Sequence, residues 1–594
     1  MGEVLGNNNS KSSMRGIDNQ NHNHDNASSS ATMRPSSALD LFILTFNCAK
    51  TLINVPVFSA HLHAALSQNA TGLPDLVVLS LQEVAPMSYA FIGSYFLNPY
   101  YARFGEALNL ASTRLLEKTT TTTTTSYGYP ESVSSQGTLS PPPYTLVRAK
   151  NVGMTSILLF ARDPTSISQI QEAECGFGAA DMGNKGAVGL RVTWSDPSSQ
   201  SQKSAELTLV ATHLAAMEWN LKKRNANWRS IVSGLTFQNP RDVLPGVFPA
   251  TANPVPRPDL SGVGERAPPP PPAAAAGGSV DSSEAEEEEV EEAEPLLSTS
   301  LPSSSSSELP LTRQQRSLSP SQSATLQDIS IFKPSSHLFV AGDLNYRISS
   351  TTPPPLSEFP SFDESSPNHY SNFLERDQLT QERLAGRTFH GMEEAPVTFG
   401  PTYKFDILKD SPRGAVNEAA VRKGSKVNGV PEVAWKFAPH RWPGWCDRVL
   451  FSSSSPSGGS EEDDGVKVGG YDAFPVLESS DHRPVWFRAS VPLFSSSSEV
   501  EAEAREEDQL KGAKFMGKSV GEVGEVGERK ESKKQKKVLP FPVDVDAWER
   551  RRIARGKEMV VGWSAFFWST QEGAMVLGTV LLIVLGGWWA VRGW

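Results

Sequence analysis

The stretch HLFVAGDLNYRI, residues 337–348, joins an apolar run to a polar ending. The apolar residues predict a buried strand, and Asp343, Asn345 and Arg347 follow at the point where that strand would end. Residues two positions apart on an extended chain point to the same face, so Asp343 and Asn345 could present a carboxylate and an amide to one ligand. Gly, Asp and Asn are also the usual turn residues, and on these residues alone a turn is the slightly better interpretation.

Similar apolar runs recur along the chain, and each of them ends in a polar cluster. They are LFILTFN (41–47), LVVLSLQE (76–83), TSILLFAR (155–162), AVGLRV (187–192), LTLVATHL (207–214), HLFVAGDLN (337–345), DRVLF (447–451) and RPVWFRASV (483–491). Their length and their β-branched residues favour buried strands over helices. Helical patterns lie between some of them, in FSAHLHAAL (58–66) and WNLKKRNANWRSIVSGL (219–235). Strands with covered faces and helices between them predict an α/β sandwich of two sheets.

Composition limits how much of the 594-residue chain can form a core. Segments rich in Asn, Ser, Thr, Pro, Ala or Glu occupy residues 1–37, 119–125 and 240–330. Such segments lack the apolar surface that offsets chain entropy, so we expect them to be disordered. Acidic stretches there and after residue 498 supply much of the net charge of −11, which therefore argues only weakly against a polyanionic substrate. The 3 cysteines are widely spaced, which fits a reducing compartment better than a disulfide framework or a zinc site.

The polar residues at the predicted strand ends are of the types that bind metals or handle protons. They are Asn47, Glu83, His213, Asp343, Asn345, Asp481 and His482. Each alone has a structural explanation as a turn, cap or buried polar residue, whereas their recurrence in one structural context predicts a functional site. Oxygen ligands without cysteine favour a hard cation such as Mg²⁺, which carboxylates and substrate phosphate usually hold. We expect Glu83 to be the main ligand, with Asn47 beside it.

The run GAMVLGTVLLIVLGGWWAV, residues 573–591, carries no charged residue. As a helix it would span about 28 Å, close to the thickness of the hydrocarbon core of a bilayer. A basic cluster precedes it, and the positive-inside bias would keep that side cytosolic. The cluster contains Arg550, Arg551, Arg552, Arg555 and Lys557. We expect a single-pass, tail-anchored protein with a cytosolic body, and the short span leans toward the endoplasmic reticulum membrane. The alternative is a buried core helix.

Short motifs resemble those of the inositol polyphosphate 5-phosphatases and stand in the same order. They are TFN (45–47), LQEV (81–84), GFGAADMGNKGAVGLRV (176–192), THLAA (212–216), KRN (223–225), GDLNYRI (342–348), PTYKFD (401–406), PGWCDRVLF (443–451) and SDHRPV (480–485). The resemblance covers about residues 38–492 and implies the four-layer α/β sandwich of the deoxyribonuclease I-like superfamily. Together with the apolar C-terminal run, it extends to fungal tail-anchored phosphatidylinositol 4,5-bisphosphate 5-phosphatases of the endoplasmic reticulum.

The resemblance implies a Mg²⁺-dependent hydrolase that converts phosphatidylinositol 4,5-bisphosphate to phosphatidylinositol 4-phosphate by direct attack of water. Glu83 and Asn47 would bind the metal. The catalytic residues would be His213, Asp343, Asn345, Asp481 and His482. Among these, Asp343 would activate or orient the water and Asn345 would hold the phosphate. The two histidines would contact the 5-phosphate, and the remaining aspartate would lie in the metal and histidine network.

The resemblance also implies substrate-binding residues around the neighbouring 4-phosphate. They are Tyr403, Lys404, Arg441 and Arg448, with Lys185 as a further cationic candidate. Charge-assisted bonds to a phosphate are strong and directional, although a lone Lys or Arg is usually a solvated surface charge. Asp447 would position Arg448. Phe46, Met217 and Asn227 depart from the residues common at these positions in the family, which leaves the substrate preference open.

The predicted division of the chain follows from these patterns. It comprises a disordered N-terminus (1–37), a catalytic domain (38–492) with disordered insertions near 118–143, 240–330 and 452–468, a flexible charged linker (493–547), a basic juxtamembrane segment (548–572) and a transmembrane anchor (573–591). Two other functions stay open, a nuclease of the same fold and a catalytically inactive, membrane-tethered scaffold. The membrane span and the lack of an evident basic groove disfavour nucleic acid as a partner, and the intact site residues disfavour the scaffold.

Overall fold

The computed structural model describes residues 38–70, 72–124, 141–196, 203–248, 318–409, 412–453, 465–494 and 539–592. The predicted disordered segment 1–37 lies outside these ranges. So does most of each predicted insertion and of the predicted linker.

A six-stranded sheet forms one half of the central sandwich. Its strands are β1 (Ala38–Asn47), β2 (Leu76–Gln82), β3 (Thr145–Val152), β4 (Thr155–Ala161), β14 (Lys467–Ala473) and β15 (Val485–Pro492). They lie in the order β14-β15-β1-β2-β4-β3. Strands β1 and β2 run parallel, and the other neighbours are antiparallel.

A five-stranded sheet forms the other half. Its strands are β5 (Ile167–Gly176), β6 (Gly186–Ser195), β7 (Ser204–His213), β8 (Ser336–Asp343) and β13 (Asp447–Ser452), in the order β13-β8-β7-β6-β5. Here β7 and β8 are the parallel pair. Four short strands pair two by two outside the sandwich, namely β9 (Phe405–Ile407) with β12 (Trp435–Phe437) and β10 (Lys426–Val427) with β11 (Val430–Pro431).

Nine α-helices occur among the described residues up to 494. They are α1 (Val55–Ser67), α2 (Met87–Ile92), α3 (Asn98–Thr124), α4 (Leu221–Gly234), α5 (Pro240–Val243), α6 (Pro320–Ile329), α7 (Tyr370–Leu374), α8 (Gln378–Leu384) and α9 (Glu418–Arg422). One core lies between the sheets, where Ile43 and Val78 face Leu209 and Phe339. A second core joins α1 and α3 to the first sheet, and a third joins α4 to the second. The predicted four-layer α/β sandwich is confirmed.

All the predicted apolar runs form strands, but the strands β3, β5 and β14 were not predicted. Each of these lies at an edge of its sheet and carries exposed or half-exposed residues, so its sequence lacks a continuous apolar run. Helices occupy the ends of two segments that were predicted to be disordered, 118–143 and 240–330. Helix α3 continues to Thr124, and α5 and α6 occupy the two flanks of the predicted insertion 240–330. A capping box at Ser319 stabilises the start of α6.

The described residues that begin at 539 pack on the domain. Val543 packs with Phe248, Leu326 and Ile329, so the flanks of the long insertion form the surface that receives it. A helix then runs from Ala547 to Ser569 along the domain, and a second helix follows at Gln571–Arg592. Residues 571–589 of the second helix are long and apolar enough to span a membrane, and they are largely exposed.

Arg488 on β15 connects this strand by hydrogen bonds with β1, with the end of α1 and with the segment between α1 and β2. Its guanidinium donates to both carboxylate oxygens of Asp40 on β1, at 2.9 and 2.6 Å. It also donates to the carbonyls of Leu66 at 2.9 Å and Gly72 at 2.7 Å. Because Arg488 is buried, removing it leaves a carboxylate and two carbonyls without their donor.

We therefore predict that Arg488→Ala lowers the free energy of unfolding by about 3 kcal/mol. The matched control is Arg148→Ala, which removes an ion pair with Glu172 from a side chain that is 48% exposed. That loss is expected to cost less than about 1 kcal/mol. Guanidinium denaturation of the full chain in detergent, followed by tryptophan fluorescence, measures both. Equal shifts for the two variants would contradict the prediction.

Candidate active site

Two parallel strand pairs bring most of the predicted site residues to one edge of the sandwich. Asn47 is the last residue of β1, and Glu83 follows the end of the neighbouring strand β2. His213 and Asp343 end β7 and β8 and are direct partners in the register. Asp447 begins β13 and lies opposite Asp343 on its other side. Carboxyl ends of parallel strands are where α/β sheets usually build their sites, and this edge has that arrangement.

Asp343 is the buried centre of the group. Its Oδ2 accepts a hydrogen bond from Asn47 Nδ2 at 3.1 Å and lies 3.2 Å from His213 Nε2 and 3.8 Å from His482 Nε2. Its Oδ1 accepts the backbone N–H of Asn345 at 3.0 Å. Burial raises the pKa of this carboxyl, but the positive charge of His482 and the hydrogen bond from His213 outweigh burial and hold the pKa well below its usual range. Asp343 is therefore an anion at neutral pH.

His482 lies between two carboxylates. Its Nδ1 is 2.9 Å from Oδ2 of Asp447, while its Nε2 faces Asp343. Burial lowers the pKa of His482, but the two carboxylates outweigh burial and raise the pKa to about 9. Burial also raises the pKa of Asp447 to about 6, although the positive charge of His482 opposes that rise. At neutral pH the structure thus favours an imidazolium at His482 paired with a carboxylate at Asp447.

Asn345 is held in a turn, which is the interpretation that these residues alone favour slightly. Strand β8 ends at Asp343, and Asn345 has a φ of 56°, so the two residues do not share one face of an extended chain. Asn345 Nδ2 donates to the carbonyl of Leu214 at 3.1 Å, and its Oδ1 accepts from Arg347 Nη2 at 2.6 Å. The two interpretations of the stretch 337–348 are therefore both correct in part, because a turn places Asn345 within the site.

Lys185 reaches the same site from the loop that precedes β6. Its Nζ lies 3.0 Å from Nε2 of His213. The backbone carbonyl of Lys185 accepts the N–H of Phe177 at 3.0 Å, which closes the loop at its base. Lys185 lies beside His213 and near Asp343, where it adds a positive charge. This charge would offset the repulsion between the Asp343 carboxylate and a bound phosphate.

The donors around this edge fit a hard cation. Asp343, Asp447 and His482 bring potential ligand atoms within 4.8 Å of one another. A protonated His482 offers no lone pair to a metal, however, and Asp447 is already its partner. Glu83 is half-buried beside Asn47 on the parallel neighbour strand, and these oxygen donors suit Mg²⁺. The predicted ligands Glu83 and Asn47 therefore fit a metal better than the closer acid and histidine group.

Tyr403, Lys404 and Asp481 form one side of the site. The ring centroids of Tyr403 and His482 lie 4.5 Å apart. The guanidinium carbon of Arg347 lies 4.4 Å from the centroid of the same Tyr403 ring. Lys404 Nζ is 3.0 Å from Oδ2 of Asp481. Burial raises the pKa of Asp481, but the charges of His482 and Lys404 outweigh it, so that the pKa falls below its usual value. Asp481 thus accompanies a lysine rather than the metal donors.

Arg448 is not available to a substrate in this structure. It is fully buried, and its Nε and Nη2 donate to Glu394 at 2.5 and 2.7 Å. Its Nη1 donates to Asp377 at 3.0 Å. This corrects the prediction that Arg448 clamps a phosphate, because two carboxylates already occupy its donors. It also corrects the prediction for Asp447, which pairs with His482 instead of positioning Arg448.

Arg441 and Arg347 converge on a carboxylate that the sequence reasoning did not single out. Glu218 is fully buried, 3.7 Å from Arg347 Nη1 and 4.0 Å from Arg441 Nε. Arg441 also approaches the sulfur of Met217 at 3.4 Å. The sequence pointed to Arg347 because it lies two residues after Asn345. It did not point to Glu218, because Glu218 does not directly follow an apolar run.

The chain is similar to known phosphatases in sequence. The model of the endonuclease/exonuclease/phosphatase family 2 matches residues 44–253 and 303–488. Type I inositol polyphosphate 5-phosphatase 13 of Arabidopsis thaliana is 28% identical over 52% of this chain and 20% of its own length. Synaptojanin of Caenorhabditis elegans is 31% identical over 25% of this chain and 10% of its own. The chain therefore spans about a fifth or less of these relatives' lengths.

Among solved structures, one example is similar to most of this chain. It is the inositol polyphosphate 5-phosphatase domain of SPsynaptojanin, in complex with inositol (1,4)-bisphosphate and a calcium ion. The identity is 19% and the TM-score 0.43, over 80% of this chain and 93% of that chain.

The geometry predicts that Asp447 controls the charge of His482. In Asp447→Asn the imidazole loses the carboxylate that raises its pKa most, while Asp343 and Asp481 remain, so the pKa is expected to fall from about 9 toward the usual histidine value of about 6.5. Histidine-labelled protein, titrated by NMR between about pH 5 and 10, measures this shift. The spectrum of His482→Gln identifies the resonance, and the exposed-site variant Asp363→Asn is the control. An unchanged His482 titration in Asp447→Asn would contradict the pairing.

Proposed function

The chain belongs to the endonuclease/exonuclease/phosphatase family 2, and from that premise we propose that it is a phosphoinositide 5-phosphatase. The reaction is hydrolysis of the 5-phosphate of phosphatidylinositol 4,5-bisphosphate, with water as the nucleophile and Mg²⁺ as the cofactor. Curated relatives of this chain are named as inositol polyphosphate 5-phosphatases, which supports the reaction type.

The observation that carries the proposal is the anionic Asp343 with cations on the side where a phosphate would bind. His213 and His482 lie 3.2 and 3.8 Å from that carboxylate. Lys185 Nζ lies 3.0 Å from Nε2 of His213. A phosphate monoester needs positive charge on its peripheral oxygens and a well-placed water in line with the leaving oxygen. The protonated His482 and Lys185 provide the positive charge, His213 lies between Lys185 and Asp343, and Asp343 provides an acceptor that can hold the water. A buried carboxylate with a low pKa is suited to orienting water by a hydrogen bond.

His482 has the charge that this role requires. Its protonated ring, held by Asp447, can donate a hydrogen bond to a phosphate oxygen through Nε2. Tyr403 packs over the ring and limits its motion. Asn345 can contribute its amide, since Nδ2 donates one hydrogen bond to the carbonyl of Leu214 and carries a second N–H. These side chains are fixed by the fold, so little reorganisation is needed when charge develops on the phosphoryl group.

Glu83 and Asn47 would hold the metal at the neighbouring strand ends. When bound, Mg²⁺ supplies charge neutralisation for the transferring phosphoryl group and polarises its oxygens. Asn47 also donates to Asp343, so one side chain would connect the metal donors with the residue that orients the water.

We infer a preference for a bisphosphate substrate from the residues Tyr403 and Lys404, which form one side of the site. Lys404 is paired with Asp481 and lies 5.6 Å from the centre of the Tyr403 ring, so it is positioned by its neighbours. Arg441 is the other predicted candidate for the 4-phosphate. Without Arg448, these two cations are the residues on which we base recognition of the second phosphate.

The apolar helix at residues 571–589 supports a lipid as substrate. Confinement to a bilayer raises the effective concentration of the enzyme at the lipid headgroup. We propose a tail anchor in the endoplasmic reticulum membrane with the domain in the cytosol, as the charge pattern before the span suggests.

The proposal predicts that the full chain, with Mg²⁺, releases phosphate from vesicles that contain phosphatidylinositol 4,5-bisphosphate and not from vesicles that contain phosphatidylinositol 4-phosphate. Asp343→Asn is expected to lower kcat by about 10²–10³-fold because it removes the charged acceptor for water. Asp363→Asn changes an exposed carboxylate and is expected to retain wild-type activity. Phosphate release from both lipids, or from neither, would contradict the assignment, as would an active Asp343→Asn.

A further inference from the structure

The helix Ala547–Ser569 is part of the domain's packing and lies against it along one stripe. We call it the docking helix. Its buried residues recur at helical spacing, and they are Ala547, Arg550, Ala554, Glu558, Gly562 and Phe566. Gly562 lies so close to α2 that an added Cβ would come within 2.9 Å of the Cβ of Phe91. This close approach requires the small residue, so the helix is fitted to this surface.

Glu558 is the only acid within the basic sequence RRRIARGKE, residues 550–558, and it is fully buried. Its Oε1 accepts the backbone N–H of Gly183 at 2.8 Å. Its Oε2 accepts from Arg551 at 3.0 Å and from Arg555 at 3.2 Å. Arg551 also donates to Glu174 on β5 at 2.9 Å. Two arginines of the predicted juxtamembrane segment, Arg551 and Arg555, thus bind carboxylates of this interface, and the buried carboxylate of Glu558 is stable there because it is paired on both oxygens.

The residue that Glu558 contacts belongs to the loop that carries Lys185. Gly183 packs tightly, since an added Cβ would lie 2.7 Å from the backbone nitrogen of Gly153. Its carbonyl accepts the N–H of Met154 at 3.2 Å, and the carbonyl of Met154 accepts the N–H of Val84 at 3.2 Å. A continuous series of hydrogen bonds therefore leads from Glu558 through the Lys185 loop to the residue after Glu83.

The docking helix also leads directly to the apolar helix. Only Thr570 separates them, and this junction is closed by hydrogen bonds from Thr570 N–H to Phe566 O at 3.2 Å and from Gly573 N–H to Thr570 Oγ1 at 3.0 Å. The same helix that contacts the Lys185 loop is thus continuous with the candidate membrane span.

We propose that Glu558 is a positioning residue for the reaction proposed above, on which this inference rests. It fixes the Gly183–Lys185 loop so that the Lys185 ammonium lies against His213, and through the docking helix it connects phosphate binding with the membrane-proximal end of the chain. Glu558 does not touch the substrate. It acts through the backbone of Gly183.

The test uses the full chain in detergent micelles with a water-soluble inositol phosphate that carries 4- and 5-phosphates. This substrate removes any effect of membrane attachment. Glu558→Leu is expected to raise KM at least about tenfold with kcat changed less than about threefold, because Lys185 would bind the phosphate less well. Glu558→Gln keeps a carbonyl oxygen for the Gly183 N–H and is expected to recover most of the wild-type KM.

Two further measurements separate positioning from general stability. Glu549→Gln, on an exposed part of the same helix and paired with Arg552, is the matched control and should leave KM unchanged. The double variant of Glu558→Leu with Lys185→Ala should show a KM close to that of Lys185→Ala alone, because both act on one contact. Loss of kcat with an unchanged KM, or additive effects in the double variant, would overturn the proposal.

A failure of the proposed function gives a different result. In that case the wild-type chain releases no phosphate from any inositol phosphate, and hydrogen exchange still decides whether Glu558 holds the loop. Amides of residues 176–190 should exchange faster in Glu558→Leu than in Glu549→Gln. Equal exchange in the two variants would overturn the positioning role.

Discussion

The rest of the site depends on one constraint, the burial of the Asp343 carboxylate between His213 and Asp447 in the strand register. A charge without partners in that position would be costly, so the surrounding side chains must supply hydrogen bonds and positive charge. Asn47 and His213 meet this need from the ends of β1 and β7, and His482 meets it from the loop before β15. The same groups that stabilise the carboxylate are then already placed to bind a phosphate beside it, which links the stability of the fold to its proposed chemistry.

The docking helix changes how the chain relates to a membrane. The sequence predicted a flexible charged linker from 493 and a basic juxtamembrane segment from 548, but the described residues on both sides of 495–538 lie on the domain. Phe494 pairs with Ser204, and Val543 packs near α5 and α6. Arg551 and Arg555, which precede the apolar helix, contact Glu174 and Glu558 within the protein. The candidate span therefore follows a packed helix, and that packing would set the orientation of the domain if the apolar helix crosses a membrane.

Much of the fold could be predicted because buried strands carry continuous apolar runs, as in β1, β2 and β8. The edge strands β3, β5 and β14 could not, since one face of each is exposed. In the site, residue type and position identified Asp343 and His482, but they did not reveal which partner each residue has. Asp447 was assigned to its sequence neighbour Arg448, although strand residues adjacent in sequence point to opposite faces. Only the folded register shows Asp447 beside His482 and Arg448 turned toward Glu394 and Asp377.

We propose that Asp343, His213, His482 and Lys185 together form a phosphate-binding, water-orienting site next to metal donors. The decisive measurement is a structure determined with Mg²⁺ and an inositol phosphate that carries 4- and 5-phosphates. We expect one phosphate in contact with both histidines and Lys185, and a metal ion bound by Glu83. A phosphate bound elsewhere on the chain, with this edge of the sandwich unchanged, would contradict it.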